Sequence, residues 1–564
     1  MTKLRPWQQN CLAKAIDWLV TTRSDSRFLI NAAPGAGKTI AACSIAQMLF
    51  ELGEIDRVVV IAPRVEVVDQ WARDFQMVTG RHMSRSTKAD GDIQGLGIDV
   101  CCTWAATQGL SPELDAICSV QKVLVICDEH HHAAVEAAWG RGADSAFKLA
   151  AFGLILTGTP IRSDGAESVW LAYDNAGAIN QPEAGSYTLS YGDAVDLGYC
   201  RPATFHRHEG RFTVTLNTGE SISVSGQSAG SLPKSLKRIP GLQRALDFYL
   251  LAKTPQFEAD KVTPLNGGYQ CTMMEWAISK LDELRHRMPE AGGLVIAPDI
   301  EMAEYMSSVI EMLEGEKPVI VHHRAPNPGA RIKAFKSTDK RWLVSVGMVS
   351  EGVDIPRLRV LVYLPNALTE LAFRQAVGRV VRTRGIDDDT RAYVVMPNLQ
   401  TFDAYARRVE DEMPASAAAV GGAPRHKKCP DCGNECSLAA PDCDECGYEF
   451  PQRGESTRPC PECEALNPKG ADSCHACGAS LTLDYTMSLD EALRQGAIIR
   501  GAEYDETDVQ QGEQYAPGIR DLVIRSGDAK MIALIQKLPD ESFGRLKKII
   551  DKSVAANSST HDAA

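Results

Sequence analysis

The chain has 564 residues, of which 44% are hydrophobic and 24% are charged. This composition is that of an ordinary globular protein, and the length favours three or four domains because a single hydrophobic core does not grow that large. No apolar run approaches the ~20 residues that a membrane span needs, and no apolar stretch follows the charged N-terminus. We therefore expect a cytoplasmic protein with no membrane association.

The formal net charge of −13 is unusual for a nucleic-acid-binding protein, because such domains are often basic. Screening limits the reach of surface charges to about 10 Å, so a basic groove can coexist with an acidic surface. The acidity argues against strong nonspecific binding to nucleic acid, but it does not exclude nucleic acid as a partner.

Short β-branched runs alternate with helical patterns over the first two thirds of the chain, which is typical of parallel α/β sheets. Near-continuous apolar runs predict strands that helices bury on both faces. The first series of predicted strands is Phe28–Asn31, Arg57–Ala62, Val123–Cys127 and Leu154–Thr157. The second series is Leu294–Ala297, Val319–Val321, Leu343–Val346, Val360–Leu364 and Tyr393–Met396. The predicted fold class is α/β, with two tandem parallel-sheet domains.

The α/β pattern is interrupted between the two series of predicted strands. The runs Thr213–Leu216 and Ser221–Ser225 flank Asn217-Thr218-Gly219, which predicts a β-hairpin, and a Ser/Gly-rich linker follows it. Residues 413–424 are rich in Ala, Gly and Pro and predict a second linker. The chain is predicted to divide into five parts. They are a first domain over 1–202, the hairpin and linker over 203–235, a second domain over 236–412, the cysteine cluster over 425–484, and a small helical region with a disordered tail over 485–564.

A phosphate-binding motif follows the first predicted strand. It reads Ala32-Ala33-Pro34-Gly35-Ala36-Gly37-Lys38-Thr39 and leads into a predicted helix over Ile40–Leu52. This is a Walker A loop in which Ala32 replaces the usual first glycine. Its backbone N–H groups would surround the phosphates of a nucleotide, so the nucleotide-binding residues are Pro34, Gly35, Ala36, Gly37, Lys38 and Thr39. Lys38 would bind the β- and γ-phosphates, and the Thr39 hydroxyl would coordinate Mg²⁺, so we expect an ATP site.

The strand Val123–Cys127 ends in Asp128-Glu129-His130-His131. A carboxylate at the tip of a neighbouring strand is where a second Mg²⁺ ligand is needed, so Asp128 takes that role. Glu129 would polarise the attacking water as general base. The three sequential histidines His130–His132 cannot all converge on one ion, so we expect no zinc site there.

Paired Cys-x-x-Cys knuckles occur twice in the C-terminal third, with the same spacing. Such pairs suit tetrahedral thiolate coordination, and the duplication predicts two zinc ribbons that each hold one structural Zn²⁺. The predicted ligands are Cys429, Cys432, Cys443, Cys446, Cys460, Cys463, Cys474 and Cys477. Cys436 breaks the pattern and is not a predicted ligand. Redox disulfides are the alternative for these cysteines. Three roles stay open for the ribbons: binding DNA, docking a protein partner, or acting as a structural spacer.

The combination of this Walker A loop with Asp-Glu-x-His resembles superfamily 2 helicases of the DEAH-like, type III restriction-enzyme branch. Further segments resemble the motifs of that family in the required order. They are Arg5-Pro6-Trp7-Gln8, Ala62-Pro63-Arg64 with Gln70-Trp71, Thr103-Trp104, Leu156–Arg162, Ser350–Pro356 and Gln375–Arg382. The resemblance implies two RecA-like domains with a cleft between them, and zinc ribbons behind them.

The same resemblance implies roles for individual residues. Gln8 would read adenine, and Gly352 and Asp354 of the segment Ser350–Pro356 would belong to the nucleotide site. Gln375, Arg379 and Arg382 would act from the second domain, where arginines that reach across a cleft stabilise charge on the γ-phosphoryl group. Hydrolysis would then require the cleft to close.

The family likeness also suggests contacts with the phosphate backbone of one strand. These would come from Arg64, Thr103 and the segment Arg331–Arg341, which carries Lys333, Lys336 and Lys340. A solvated helix face is the alternative for the lysines. The motif Thr-Gly-Thr-Pro-x-Arg and the Asp-Glu-His-His box look closer to DNA translocases than to DEAD-box RNA helicases, so DNA is favoured over RNA.

The expected function is that of an ATP-dependent DNA helicase or translocase in replication, recombination or repair. Two alternatives remain open: an RNA helicase, and the motor subunit of a restriction or defence complex that translocates on duplex DNA. The sequence contains no recognisable nuclease motif, so a partner would supply any cleavage. Similar chains occur in phage and prophage genomes.

Overall fold

The computed structural model describes most of two α/β domains and part of the region behind them. The described residues are 3–63, 65–86, 99–129, 146–158, 182–215, 221–226, 246–322, 324–346, 355–383, 388, 390–412, 426–429, 432–437, 443, 445–447, 457–459, 465–468, 474–478, 481, 483–488, 516, 518, 519, 523 and 543.

The first domain is built on a seven-stranded sheet. Its strands are β1 Arg27–Ala32, β2 Arg57–Ala62, β3 Met83–Ser86, β4 Asp99–Thr103, β5 Val123–Cys127, β6 Phe152–Thr157 and β7 Ser186–Leu189. They lie in the order β3-β4-β2-β5-β6-β1-β7, and all their described pairings are parallel. Every residue of β2 is buried, as expected for an apolar strand that helices cover on both faces.

Helices connect these strands. They are α1 Pro6–Ile16, α2 Lys38–Glu51, α3 Val65–Thr79, α4 Trp104–Gly109, α5 Ser111–Val120 and α6 Tyr191–Asp196. The side chain of Thr103 ends β4 and caps α4, because its hydroxyl accepts a hydrogen bond from the Ala106 backbone N–H at 3.2 Å. α2 starts directly after the glycine-rich loop, so the phosphate-binding loop lies at a helix N-terminus.

The second domain contains a six-stranded sheet and a small three-stranded one. The strands are β8 Ala203–His208, β9 Arg211–Thr215, β10 Ser221–Ser225, β11 Gly292–Ile296, β12 Val319–Val321, β13 Trp342–Ser345, β14 Leu358–Tyr363 and β15 Ala392–Pro397. The helices are α7 Phe248–Ala252, α8 Tyr269–Arg287, α9 Ile300–Glu314, α10 Pro328–Ser337, α11 Glu370–Val380 and α12 Gln400–Glu412. The larger sheet has the order β12-β13-β11-β14-β15-β8 with parallel pairings. Two parallel-sheet domains confirm the predicted α/β class.

The second sheet begins earlier than the predicted boundary. Residues 203–235 were assigned to a hairpin and linker, but β8 pairs along its whole length with β15, from Ala203 opposite Ala392 to His208 opposite Pro397. The edge strand was not apparent in the sequence because polar residues interrupt its apolar pattern. One of them, Arg207, forms ion pairs with Asp403 and Glu410 of α12.

The predicted hairpin is present as the antiparallel pair β9 and β10. A third strand, β20 Asp484–Ser488, joins it in parallel with β9 after the chain has passed through the cysteine cluster. The helical region was predicted to start at residue 485, but Tyr485 and Met487 are buried while Asp484 and Thr486 are exposed. This period of two is that of a strand with one face against the core.

Four short strands form two hairpins between α12 and β20. β16 His426–Lys428 pairs with β17 Glu435–Ser437, and β18 Thr457–Pro459 pairs with β19 Leu466–Pro468, both antiparallel. The predicted linker over 413–424 lies outside the described residues. The few described positions of the tail are helical, and Ala516 packs there with Phe543.

The two α/β domains share a continuous apolar core. One buried cluster runs from Trp7 of α1 through Tyr191 and Cys200 to Phe205 and Val377 of the second domain. Among the described helices, none has the length and apolar character needed to cross a membrane.

Candidate nucleotide site and zinc centre

The phosphate-binding loop connects β1 to α2 through two glycines with left-handed backbone angles. Gly35 has φ +83° and Gly37 has φ +98°, conformations that side-chain-bearing residues rarely adopt. A Cβ atom on Gly35 would lie 2.9 Å from Cγ of Arg382, and one on Gly37 would lie 2.8 Å from Nε2 of Gln8. The loop therefore needs glycine at both positions, for backbone geometry and for close contact with its neighbours.

Three side chains near the N-terminus hold the loop. The Arg5 guanidinium and the Trp7 indole both donate to the Ala36 carbonyl, at 2.8 and 3.2 Å, and Gln8 Nε2 donates to the Gly37 carbonyl at 3.0 Å. The Gln8 amide oxygen in turn accepts from the Arg5 backbone N–H at 2.8 Å. These contacts fix Gln8 against the loop and engage both polar atoms of its amide, and its contact with adenine stays a prediction.

Lys38 is the first residue of α2. Its Nζ atom donates to the carbonyl of Ala32 at 2.9 Å and lies close to Gly158, where a Cβ atom would approach it to 3.0 Å. The amine therefore lies at the carboxyl end of β1 and beside the end of β6. Thr39 follows it and borders the same cavity as the carboxylate of Asp128.

Asp128 lies at the carboxyl end of β5 and is held by two buried tryptophans. The Trp71 indole donates to its carboxylate at 2.8 Å, and the Trp104 indole donates to its backbone carbonyl at 3.1 Å. Burial and the neighbouring Glu129 raise the pKa of Asp128 to about 6, against the opposing effects of Trp71 and Lys38. Glu129 has φ +49°, a left-handed angle that is uncommon for a residue with a side chain. A Mg²⁺ ion suits the Asp128 carboxylate and Thr39 hydroxyl, since both are hard oxygen donors.

The second domain closes the other side of this cavity. Gln375 and Arg379 lie on α11, and Arg382 follows the helix end. Gly378 packs against the loop so closely that a Cβ atom there would lie 2.8 Å from Cβ of Pro34. The resulting cavity has a volume of about 340 Å³. Its lining includes Arg5, Pro34, Gly35, Gly37, Lys38, Thr39, Gln70, Trp71, Asp128, Glu129, Gln375, Arg379 and Arg382.

The structure thus brings predicted residues of both domains around one cavity, although Gln8 and Ala36 are not among those that line it. Other predicted positions lie outside the described residues, namely Arg64, His130–His132, Thr159–Arg162, Gly352 and Asp354. The sequence assigned no role to the indoles of Trp71 and Trp104, although both tryptophans stand in segments that follow strands of the first sheet. An indole shortly after a strand tip is a signal that could have been used, because buried indoles need a hydrogen-bond acceptor.

The residues predicted to contact nucleic acid differ in exposure and in their hydrogen-bond or ion-pair partners. Lys333 and Lys336 are exposed on α10. Lys340 instead pairs with Glu316, and the Arg331 guanidinium donates to the Ile320 carbonyl at 3.2 Å. The Thr103 hydroxyl is engaged as the cap of α4.

Four cysteines of the first ribbon converge. The Sγ atoms of Cys429, Cys432, Cys443 and Cys446 all lie within 4.8 Å of one another, as ligands of one tetrahedral ion do. Backbone N–H groups, foremost that of Cys446, lower the pKa of Cys443 to about 6, which favours the thiolate that binds metal. Cys436 is buried beside Cys429 and Cys443 but does not belong to this group.

The second ribbon is described in part. Cys474 and Cys477 lie in the described residues, whereas Cys460 and Cys463 do not. The buried amide of Asn467 donates to Sγ of Cys474 at 3.4 Å and accepts from the His475 backbone N–H at 2.9 Å. Asn467 therefore orients a predicted ligand in the manner of an outer-sphere residue.

Two family models match the chain. Residues 1–162 match the type III restriction enzyme, res subunit, and residues 276–384 match the helicase conserved C-terminal domain. These matches support the predicted superfamily 2 helicase of the type III restriction-enzyme-like branch.

Several relatives match part of the chain. An uncharacterized protein of Mycobacterium tuberculosis is 31% identical over 403 residues, which are 70% of this chain and 62% of that protein. A putative helicase of Sulfolobus islandicus filamentous virus is 23% identical over 291 residues, which are 51% of this chain and 44% of that protein. The chain spans less than two thirds of the length of these relatives.

Solved structures that match part of the chain include an ATP-dependent type ISP restriction-modification enzyme bound to DNA. It is 15% identical, has a TM-score of 0.47, and the match covers 73% of this chain and 30% of the enzyme. A DEAD-box helicase bound to single-stranded RNA is 12% identical, with a TM-score of 0.44 and coverage of 74% of both chains.

Proposed function

We propose that the chain is an ATP-driven motor that couples hydrolysis in the interdomain cleft to movement along nucleic acid. One observation carries this proposal: a single cavity is lined by Lys38 and Asp128 of the first domain and by Arg379 and Arg382 of the second. A nucleotide bound there would touch both domains at once. Its hydrolysis would therefore change the contacts that hold the domains together.

The chemistry of each side chain in the cavity indicates its role in hydrolysis. The loop N–H groups and Lys38 would bind the phosphates, and Thr39 and Asp128 would hold a Mg²⁺ ion, which would supply positive charge beside them. Glu129 accepts the proton of the attacking water. Trp71 keeps the Asp128 carboxylate in one orientation, because its indole N–H occupies one carboxylate oxygen at 2.8 Å.

The second domain contributes to the transition state. Arg379 and Arg382 line the same cavity as Lys38, and arginines supplied across a cleft raise hydrolysis rates in other nucleotide hydrolases by about 10³–10⁵. The close packing of Gly378 on Pro34 leaves little freedom in how the domains approach. Hydrolysis and product release would alternate with small movements at this contact.

DNA is the favoured track. The family match to a restriction-enzyme subunit over residues 1–162, the Asp-Glu-His-His box and the motif Thr-Gly-Thr-Pro-x-Arg support DNA over RNA. The same match favours, as a second candidate, the motor subunit of a restriction or defence complex that moves on duplex DNA. We expect exposed Lys333 and Lys336 on α10 to contribute backbone contacts, since Lys340 already has an acidic partner.

The ribbons are proposed to hold two structural Zn²⁺ ions. The converging thiolates of the first ribbon support this, together with the matching spacing of the second. The chain returns from the ribbons to the second domain through β20, so the ribbons are connected to that domain at both ends. A ligand bound by the ribbons would consequently move with the second domain.

The test is the ATPase rate with single-stranded DNA, duplex DNA, forked DNA and RNA. The proposal expects stimulation by DNA, and Lys38→Ala provides the matched inactive control. Stimulation by RNA alone would favour the RNA-helicase alternative, and stimulation by duplex without strand separation would favour the restriction-type motor. Turnover that persists in Lys38→Ala, or a wild-type protein that does not hydrolyse ATP under any condition, would contradict the motor.

A further inference from the structure

The segment that connects the two domains runs from the end of α6 to the start of β8 and contacts three parts of the nucleotide site. The Arg5 guanidinium stacks over the Tyr199 ring, with its Cζ atom 4.5 Å from the centroid of that ring. Cys200 Sγ donates to the Pro34 carbonyl at 3.1 Å. The backbone N–H of Arg201 donates to the Val381 carbonyl at 2.7 Å. Successive residues thus touch the N-terminal motif, the phosphate-binding loop and the chain beside Arg382.

Arg201 makes the most extensive of these contacts. Its side chain is completely buried, and Nη2 donates to the backbone carbonyl of Arg382. Its own carbonyl accepts from the buried Tyr191 hydroxyl at 2.7 Å. Arg201 of the connecting segment therefore holds the backbone carbonyls of both Val381 and Arg382.

A single carboxylate holds Arg201 in place. Asp388 Oδ2 accepts from Arg201 at 2.6 Å and from the equally buried Arg359 at 2.8 Å, while Oδ1 accepts from the Thr390 hydroxyl at 2.6 Å. Burial and Arg359 lower the pKa of Arg201 to about 9, and Asp388 opposes that change. Two buried guanidinium groups that contact the same carboxylate oxygen require its negative charge.

The backbone at Arg382 determines where its side chain lies. The Arg382 side chain packs along the phosphate-binding loop, since a Cβ atom on Gly35 would lie 2.9 Å from its Cγ. Its Nε atom donates to the Gly378 carbonyl at 3.3 Å. A shift of the Arg382 carbonyl would therefore displace the guanidinium relative to the loop.

We propose that Arg201, oriented by Asp388, is a positioning residue that presents the Arg382 guanidinium to the γ-phosphate when the cleft closes. The inference rests on the proposed function, in which Arg382 acts in the transition state. Arg201 itself need not touch the nucleotide, and it is absent from the residues that line the cavity. Loss of Arg201 should therefore affect turnover more than ATP binding, because a misplaced Arg382 guanidinium costs more free energy in the transition state than in the ground state.

The test is Arg201→Lys, which keeps the charge for Asp388 but loses the planar fork that also reaches the Arg382 carbonyl. The control is Arg357→Lys, another buried arginine whose described hydrogen bonds go to the backbone of Phe335, Glu290 and Lys340. We expect Arg201→Lys to lower kcat by about tenfold or more with KM for ATP changed by less than about threefold. Arg357→Lys should lower Tm comparably and leave kcat nearly unchanged.

A double-mutant cycle separates positioning from stability. Arg201→Lys combined with Arg382→Lys should be no slower than Arg382→Lys alone, because a lysine at position 382 leaves no guanidinium for Arg201 to position. Multiplicative losses of kcat, or equal behaviour of Arg201→Lys and Arg357→Lys, would overturn the inference. If Arg201→Lys does not fold, Asp388→Asn should show the same fall in kcat at near-constant KM, and an unchanged kcat there would overturn it as well. An inactive wild-type protein would instead contradict the proposed function.

Discussion

Acid should destabilise the second domain through one buried histidine. His208 ends β8 and is buried against α8, where Nε2 lies 3.1 Å from the Thr272 hydroxyl and the ring makes an edge contact with Tyr269. Burial lowers the pKa of His208 from 6.5 to about 4. The unfolded chain therefore binds the proton more readily than the folded one, and stability falls as the pH drops from about 6.5 to about 4.

The size of the effect follows from the shift. A change of pKa from 6.5 to about 4 corresponds to about 3 kcal/mol when complete, of which about 2 kcal/mol is lost by pH 5. The substitution His208→Gln removes this titration and keeps a polar group near Thr272. We expect it to cost about 1 kcal/mol at pH 7.5 through the altered hydrogen bond, and to be the more stable protein at pH 5.

Urea unfolding at pH 7.5 and pH 5 measures both proteins. The control is His286→Gln, because His286 is exposed on α8 and contacts only the Asp282 carbonyl among the described hydrogen bonds. The wild-type protein and this control should lose the same stability between the two pH values, and His208→Gln should lose less. An equal loss in all three would show that His208 is not buried against α8, and that β8 does not lie where the structure has it.

Three further outcomes are expected. Glu129→Gln should bind ATP but hydrolyse it very slowly, because the water loses its base; loss of ATP binding in that variant would mean that Glu129 has another role. Gly37→Ala should abolish ATP binding, since a Cβ atom would lie 2.8 Å from Gln8 Nε2 at φ +98°, whereas Gly53→Ala, at an open turn, should not. Metal analysis should return two zinc ions per chain, reduced to one by Cys443→Ser; a single zinc or iron in the wild-type protein would contradict the paired ribbons.

Much of the fold was predictable from the sequence because the central strands are apolar without interruption. β2, β5 and β12 have the predicted bounds, and β1 and β6 differ only at their ends. Local pattern is sufficient for such strands, since burial on both faces allows few polar residues.

The rest depends on contacts between distant residues. β8 carries polar residues whose partners lie on α12, and β20 pairs with β9 across more than 260 residues of chain, as Asp484 opposite Arg211 shows. No local pattern encodes such pairing. The acceptor of the two indoles at Asp128 likewise becomes evident only in the folded sheet, which brings the chain after β2 and after β4 to the end of β5.

The central claim is that Arg382 acts across the cleft on the transition state, and Arg382→Lys tests it most directly. Lysine keeps the charge but is a flexible point charge, whereas arginine offers a rigid fork to phosphoryl oxygens. The measurement is the single-turnover rate of ATP hydrolysis with saturating DNA, alongside the Kd for ATP. The account predicts a near-normal Kd and a hydrolysis rate reduced by about a hundredfold or more. A normal hydrolysis rate, or a weakened Kd with the rate unchanged, would contradict it.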